Sequence, residues 1–180
     1  MNHLTFLSNR SSTIASILLV TSFAILPPRS HGAGVTLITH GYNANADDWI
    51  AGMADQLPNY YRFPGTSLTT YKLTLSYDGT YINYQWARTT GSAPSATGSG
   101  EIIVRLDWSQ MAGSPNPLSS VYDLSTSDVA QAATWVLLQT NSISDLGGHA
   151  LVEFPIHLVG HSRGGSLVSE ISRLLGTSGV

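Results

Sequence analysis

The chain has 180 residues, of which 42% are hydrophobic and 11% are charged, and its formal net charge at pH 7 is -3. This composition favours one folded domain with a buried core over a disordered chain. The slight negative charge and the lack of a lysine–arginine cluster argue against nucleic acid as a partner. Because the sequence contains no cysteine, disulfides and cysteine-ligated zinc are excluded.

The first 33 residues have the three-part pattern of a secretory signal peptide. Arg10 lies in a leading segment without acidic residues, residues 13–26 form an almost unbroken apolar run, and small residues lead up to Ala33. The run is shorter than the roughly 20 residues that cross a membrane. We therefore predict a secreted protein with a signal over 1–33 and one domain over 34–180. The alternative is an uncleaved membrane anchor, because His31 fits poorly three residues before a cut after Ala33.

A strand and a helix are the first elements predicted after this segment. Residues 35–39 are apolar and β-branched, which predicts a buried parallel strand. A helix is expected over 47–57, with Asn45 as its cap and Pro58 closing it. The apolar face of this helix consists of Trp49, Ile50, Met53, Ala54 and Leu57.

A β-hairpin and a second core strand are predicted next. Apolar and polar residues alternate on both sides of Asp78-Gly79, a strong signal for a hairpin turn. The alternating apolar residues are Leu73, Leu75 and Tyr77 before the turn and Ile82, Tyr84 and Trp86 after it. A surface loop is expected over 89–100, followed by a core strand over 102–108 with Asp107 at its C-terminal edge.

The last third of the chain predicts a loop over 111–124, a helix over 126–139, a strand from near Phe154 and a final helix after Ser162. Ser125 or Ser127 caps the first of these helices. The apolar faces are Val129, Ala132, Ala133, Val136 and Leu137 in one helix and Leu167, Val168, Ile171, Leu174 and Leu175 in the other. The whole order of elements predicts an α/β fold with three layers, in which helices cover both faces of a mostly parallel sheet.

The segment Gly160-His161-Ser162-Arg163-Gly164 joins the last predicted strand to the last helix. A Gly-x-Ser-x-Gly turn at such a junction is typical of a nucleophile elbow, which lifts a serine hydroxyl off the top of a parallel sheet. Gly160 and Gly164 are needed because a side chain would clash in so sharp a reversal. The pattern alone has low specificity in a chain with 17 glycines, and the flanking strand and helix strengthen it. We predict Ser162 as a nucleophile.

Two backbone N–H groups are candidates for an oxyanion hole, which stabilises the negative oxygen of a tetrahedral intermediate. One belongs to Arg163, the residue after the nucleophile. The other belongs to Tyr42, in the loop that follows the first core strand. His40 in the same loop is expected to hold the backbone turn.

A serine nucleophile needs a base, usually a histidine oriented by a carboxylate that precedes it in the chain. No histidine follows Ser162, and Glu170 is the only acid after it, on the polar side of a helix. His157 is expected in the core, and His161 is expected to point away from the serine. His149, in a loop, is the one histidine that could move towards it. We therefore expect the triad acid and histidine to be absent from this chain.

At these motifs the sequence resembles the pancreatic-type lipases and related α/β-hydrolases. The segment 39–49 is similar to their oxyanion loop and first helix, 104–109 to their next core strand, and 156–162 to the run into their nucleophile. The resemblance covers about 35–64 and 101–176. It implies an α/β-hydrolase fold without its C-terminal part. It also implies Ser162 as nucleophile and the Tyr42 and Arg163 N–H groups as the oxyanion hole.

The same resemblance implies a serine hydrolase that cleaves esters through an acyl-Ser162 intermediate. Its favoured substrate is an acyl-lipid, with transient contact to a lipid surface, and no cofactor or metal is expected. The sequence departs from these lipases at Arg163, where they usually carry leucine. Asp107 precedes Ser162 and so does not match the triad acid, and a structural role is expected for it. Two alternatives stay open: a non-catalytic secreted binding domain, and a thioesterase, acyltransferase or amidase on the same fold.

Overall fold

The computed structural model describes residues 34–60, 67–94 and 100–180. The predicted signal and the alternative membrane anchor, both over 1–33, lie outside the described residues. No helix within the described ranges is long and apolar enough to cross a bilayer.

A five-stranded sheet forms the centre of the molecule. Its strands are β1 (Gly34–Thr39), β2 (Ser67–Tyr77), β3 (Ile82–Thr90), β4 (Gly100–Asp107) and β5 (Ile156–Gly160). They lie in the order β3-β2-β4-β1-β5, and all neighbours are parallel except β3, which is antiparallel to β2. The carboxyl ends of the four parallel strands therefore meet at one edge of the sheet, where ligand sites of open α/β sheets lie.

Helices cover both faces of this sheet. They are α1 (Trp49–Tyr60), α2 (Thr126–Leu138) and α3 (Arg163–Thr177). Because side chains alternate along a strand, Ile38 of β1 packs with α1 on one face, whereas Val35 and Leu37 pack with α2 and α3 on the other. This arrangement confirms the predicted α/β class and the mostly parallel sheet.

The start of α2 shows how the sequence sets a helix end. The Ser125 hydroxyl accepts a hydrogen bond from the Asp128 N–H at 3.1 Å, which makes Ser125 the cap rather than Ser127. The buried face of α2 contains four of the five predicted residues, Val129, Ala133, Val136 and Leu137, while Ala132 is partly buried.

Helix α1 differs from its prediction at both ends. It begins at Trp49, because the Asn45 side chain accepts the Asp47 N–H at 2.8 Å in a turn that precedes the helix. It continues to Tyr60, so Pro58 lies in its last turn and does not close it as expected. Trp49 is 42% exposed, so its placement on the buried face was wrong, while Ile50 is buried as expected.

The predicted hairpin is present and joins the main sheet. Leu73 pairs with Trp86 and Leu75 with Tyr84, and the Asp78 carboxylate accepts the backbone N–H groups of the turn. The loop expected over 89–100 is shorter than predicted, because β3 continues to Thr90 and β4 starts at Gly100. Parallel pairing of β2 with β4 places the hairpin at the outer end of the described sheet.

Strand β5 lies at the opposite end of the described sheet. Among the described strands it pairs with β1 alone, and a groove of about 1020 Å³ opens beside it. The groove is lined mainly by apolar side chains, including Val152, Phe154, Ile156, Leu158, Val168 and Leu175. His157 is exposed in this groove, so the expectation of a core histidine was wrong. The physical reason is that an edge strand is covered by a neighbour on one side only.

Candidate active site

The turn between β5 and α3 lies at the carboxyl edge of the sheet and is very short. Only His161 and Ser162 separate Gly160 from the first residue of the helix. Ser162 has φ 55° and ψ -126°, a backbone conformation that side-chain-bearing residues rarely adopt and that costs on the order of 1–3 kcal/mol. Strain of this kind is characteristic of a strand-to-helix turn that exposes a serine hydroxyl.

The two glycines of the turn are required by close backbone contacts. A Cβ on Gly160 would lie 2.2 Å from the Gly164 carbonyl oxygen. A Cβ on Gly164 would lie 2.3 Å from the carbonyl oxygen of His40. The second contact shows that the turn packs directly on the end of β1.

The loop after β1 lies against Ser162. A Cβ on Gly41 would lie 2.9 Å from the Ser162 Cβ and 3.3 Å from the Arg163 nitrogen. The N–H groups of Tyr42 and Arg163 have no hydrogen-bond acceptor among the described residues. Ser162 is exposed, and its hydroxyl likewise has no described partner. An exposed hydroxyl beside two unused N–H donors has the composition of a site that stabilises an oxyanion.

The turn at Gly41 is held by His40, which is fully buried. The ring nitrogen Nε2 accepts the Trp108 backbone N–H at 3.1 Å, so Nδ1 carries the proton and donates to the Gly41 carbonyl at 2.9 Å. The imidazole also stacks on the Trp108 indole, with ring centroids 5.3 Å apart. His40 therefore supports the loop from beneath, with both of its nitrogens already in use.

Asp107, at the end of β4, is buried in a second polar cluster. Its Oδ1 accepts the Ser109 N–H at 3.0 Å, and its Oδ2 lies 3.0 Å from Lys72 Nζ, which also binds Asp47 at 2.6 Å. Burial acts to raise the pKa of Asp107, but the Ser109 N–H and the Lys72 ammonium outweigh it and hold that pKa well below its usual range. The cluster joins β2 and β4 to the segment before α1, which is a structural role.

The Arg163 side chain reaches away from Ser162. Its guanidinium lies over the Trp108 ring, 5.4 Å from the centroid, and donates to the Ala112 carbonyl at 3.0 Å and to Asp123 Oδ1 at 2.6 Å. It also donates to the Leu124 carbonyl. From the sequence, Arg163 stood out only as a departure from the leucine of the lipases. No local signal could reveal these contacts, because the acceptors lie 39 to 51 residues earlier in the chain.

The described histidines do not approach the Ser162 hydroxyl. His161 is exposed and places its ring edge-on to Trp49, with centroids 5.7 Å apart. His149 lies before β5, with Nδ1 2.7 Å from Glu153 Oε2, and its ring packs edge-on against Phe154, with centroids 6.2 Å apart, near the amino end of β5 and so at the end opposite Ser162. Glu170, the acid that follows Ser162, is bound by Arg173. The described residues thus supply an exposed hydroxyl and two unused N–H donors, but no base at the hydroxyl.

Within the described ranges, no group of three or more histidine, aspartate or glutamate side chains is arranged to hold a metal ion. Two exposed aromatic residues flank the turn: Tyr42, at 46% exposure, and Trp49. They give the surroundings of Ser162 an apolar character that suits an uncharged substrate group.

Comparison of the chain with protein-family models, with curated proteins and with solved structures gave no match in any of the three searches.

Proposed function

We propose that the protein is a secreted serine hydrolase of the α/β-hydrolase superfamily, of the lipase or esterase type. It would act on carboxylic esters through an acyl-Ser162 intermediate. The observation that carries the proposal is the positive φ of Ser162 in a turn whose neighbour Gly41 would place a Cβ 2.9 Å from the serine Cβ. The parallel sheet, which brings both segments to one edge, supports the finer assignment to the α/β-hydrolase fold.

In this mechanism the Ser162 Oγ attacks the ester carbonyl carbon, and its proton passes to a base. The carbonyl oxygen becomes negative and accepts hydrogen bonds from the Tyr42 and Arg163 N–H groups. Collapse of the tetrahedral intermediate breaks the bond to the leaving alcohol, which takes up a proton, and leaves the acyl group on Ser162. Water then attacks the acyl-serine and releases the acid. The described residues place no base at Ser162, so the proposal assigns that role to a group outside them.

The substrate would be an ester with an apolar acyl chain. Tyr42 and Trp49 are exposed beside the turn and offer aromatic surface to an alkyl group. Exposed aromatic rings of this kind also suit transient contact with a lipid surface. No cofactor takes part in the proposed reaction.

The test is acylation of Ser162 in the full chain, with free imidazole in solution as an exogenous base. The purified protein is mixed with p-nitrophenyl esters from acetate to decanoate, and intact-mass spectrometry measures the acyl adduct. We expect Ser162→Ala to lower the rate of adduct formation by at least about 100-fold. Ser166→Ala, which changes an exposed serine one turn along α3, is the matched control and should acylate at the wild-type rate. Equal acylation of wild type and Ser162→Ala would refute the proposal.

Secretion is tested separately, by N-terminal sequencing of the protein recovered from culture medium. The proposal predicts a product that begins at Gly34. A product that stays in the membrane fraction and retains residues 1–33 would instead support the anchor.

A second candidate, a non-catalytic secreted binding domain, is favoured by the lack of any described imidazole at Ser162. It predicts a cooperatively unfolding protein that binds long-chain ester analogues and forms no acyl adduct at any imidazole concentration. The mass measurement above separates it from the hydrolase.

A further inference from the structure

We infer that the Arg163 side chain is a positioning residue that fixes both N–H donors of the proposed oxyanion hole, its own and that of Tyr42. This inference rests on the proposed function. It concerns a residue at which the chain departs from the lipases that it resembles.

The first donor is fixed because Arg163 is anchored at both ends. Its backbone begins α3, directly after the turn at Ser162. Its guanidinium binds the Ala112 carbonyl, the Leu124 carbonyl and the Asp123 carboxylate. A planar guanidinium carries five N–H donors in a rigid fork, so one side chain can hold two carbonyls and a carboxylate at once. With its side chain held in this way, the Arg163 peptide cannot rotate freely about the start of the helix.

The second donor, the Tyr42 N–H, is linked to Arg163 by the contacts of Ala112 and Gly113. Ala112 forms an isolated antiparallel bridge with Asp123, and the next residue, Gly113, donates its N–H to the Tyr122 carbonyl at 2.9 Å. A Cβ on Gly113 would lie 2.7 Å from Cε2 of the Tyr42 ring, so the ring rests directly on Gly113. Arg163 therefore supports Tyr42 through Ala112 and Gly113.

The stability of α3 does not by itself account for an arginine at this position. A cation at the amino end of a helix is opposed by the helix dipole, which favours negative charge there. The contact with the Trp108 ring does not require arginine either, because an apolar side chain could also pack on this ring. What only arginine provides is the simultaneous hold on the loop that carries Gly113.

The experiment compares Arg163→Leu and Arg163→Lys with Arg173→Leu, a control on the same helix whose partner is Glu170. Acylation of Ser162 by p-nitrophenyl butyrate in imidazole is followed against ester concentration. We expect Arg163→Leu to lower the saturating acylation rate about 10- to 100-fold while the half-saturating ester concentration stays within about twofold, because the donors act on the transition state. Lysine should restore only a small part of the rate, since it cannot bind all three acceptors, and Arg173→Leu should match wild type.

The link to Tyr42 is tested by a double-variant cycle. Tyr42→Ala keeps the backbone N–H and removes the ring that rests on Gly113, so it should also slow acylation. If both changes act on one path, the double variant is no slower than the more damaging single variant. If the rate reductions of the two single variants instead multiply in the double variant, the link between Arg163 and Tyr42 is overturned.

Three outcomes distinguish this inference from the proposed function. A wild-type rate in Arg163→Leu, with acylation still lost in Ser162→Ala, would overturn the inference and leave the function intact. No acylation of the wild type would overturn both. If circular dichroism shows Arg163→Leu to be unfolded, Tyr42→Ala decides. A lower saturating rate at an unchanged half-saturating ester concentration means that the Tyr42 ring on Gly113 positions the donor, and an unchanged saturating rate overturns the inference.

Discussion

The two sides of Ser162 are built very differently. On the side of β1 and β4, His40 and Trp108 are completely buried and Asp107 almost so, and their hydrogen bonds lock the loop that carries Tyr42. On the side of β5, Leu158 is only partly buried and His157 faces an open groove. The loop that carries Tyr42 is thus held rigidly by buried polar groups, whereas the described residues leave the β5 side open. The difference teaches that the two sides of the candidate site are supported to different degrees by the described part of the fold.

The largest difference in unfolding free energy is expected between the alanine variants of two tryptophans. Trp108 is fully buried and donates from Nε1 to Thr39 Oγ1 at 3.0 Å, so Trp108→Ala should lower the free energy of unfolding by about 3–5 kcal/mol. Trp135 is 54% exposed and touches Tyr84 edge-on, so Trp135→Ala should cost less than about 1 kcal/mol. Urea unfolding of the two variants measures both values. Similar costs would mean that the surroundings of Trp108 are not rigidly packed.

Two leucines that are neighbours across the sheet give a sharper comparison. Leu37 of β1 pairs in register with Leu158 of β5, but Leu37 is fully buried and Leu158 borders the groove. We expect Leu37→Ala to cost about 2–5 kcal/mol and Leu158→Ala about 1 kcal/mol, because a partly exposed side chain leaves a smaller cavity. The measurement is again the urea midpoint. An equal cost at Leu158 would indicate that the groove is covered in solution.

The smallest effect is electrostatic and depends on pH. The pKa of Asp107 is lowered in the folded state, so its stabilising contribution is complete above the unfolded-state pKa of about 3.9 and is lost as the pH falls towards the folded-state pKa. Asp107→Asn should therefore lower stability by about 1.5–3 kcal/mol at pH 7 and flatten its decline below pH ~5. Unfolding free energies measured from pH 7 down to acid test this.

Glu153→Gln is the matched control for Asp107→Asn, because Glu153 lines the open groove beside β5. The Ala150 N–H and the His149 ring also lower the pKa of Glu153, but this carboxylate is exposed and water screens its charge. We expect its replacement to leave the pH dependence of stability nearly unchanged. A larger change than that of Asp107→Asn would reverse the comparison.

Local patterns in the sequence were enough to predict much of the fold. Val129 and Val136 follow helical spacing behind a serine cap, and Asp78-Gly79 marks the hairpin, so α2 and the turn between β2 and β3 were predicted close to their observed bounds. These features depend on contacts within a few residues. The exposure of Trp49 and His157 was not predicted, because it depends on which neighbours each element acquires in three dimensions.

The candidate site, too, could be predicted only in part. The glycine spacing around Ser162 predicted a sharp turn, and the order of segments placed Tyr42 beside it. The contacts of Arg163 with Ala112 and of Lys72 with Asp107 could not be predicted, since each joins residues more than 30 positions apart through segments without a common pattern.

The backbone of Ser162 also limits how this position can evolve. Threonine carries the same hydroxyl, but its second substituent on Cβ makes a residue with φ near 55° a severe steric outlier. Cysteine and serine have unbranched side chains and avoid this second clash. The turn therefore restricts the proposed nucleophile by shape, and it leaves a thiol, rather than another alcohol, as the accessible replacement.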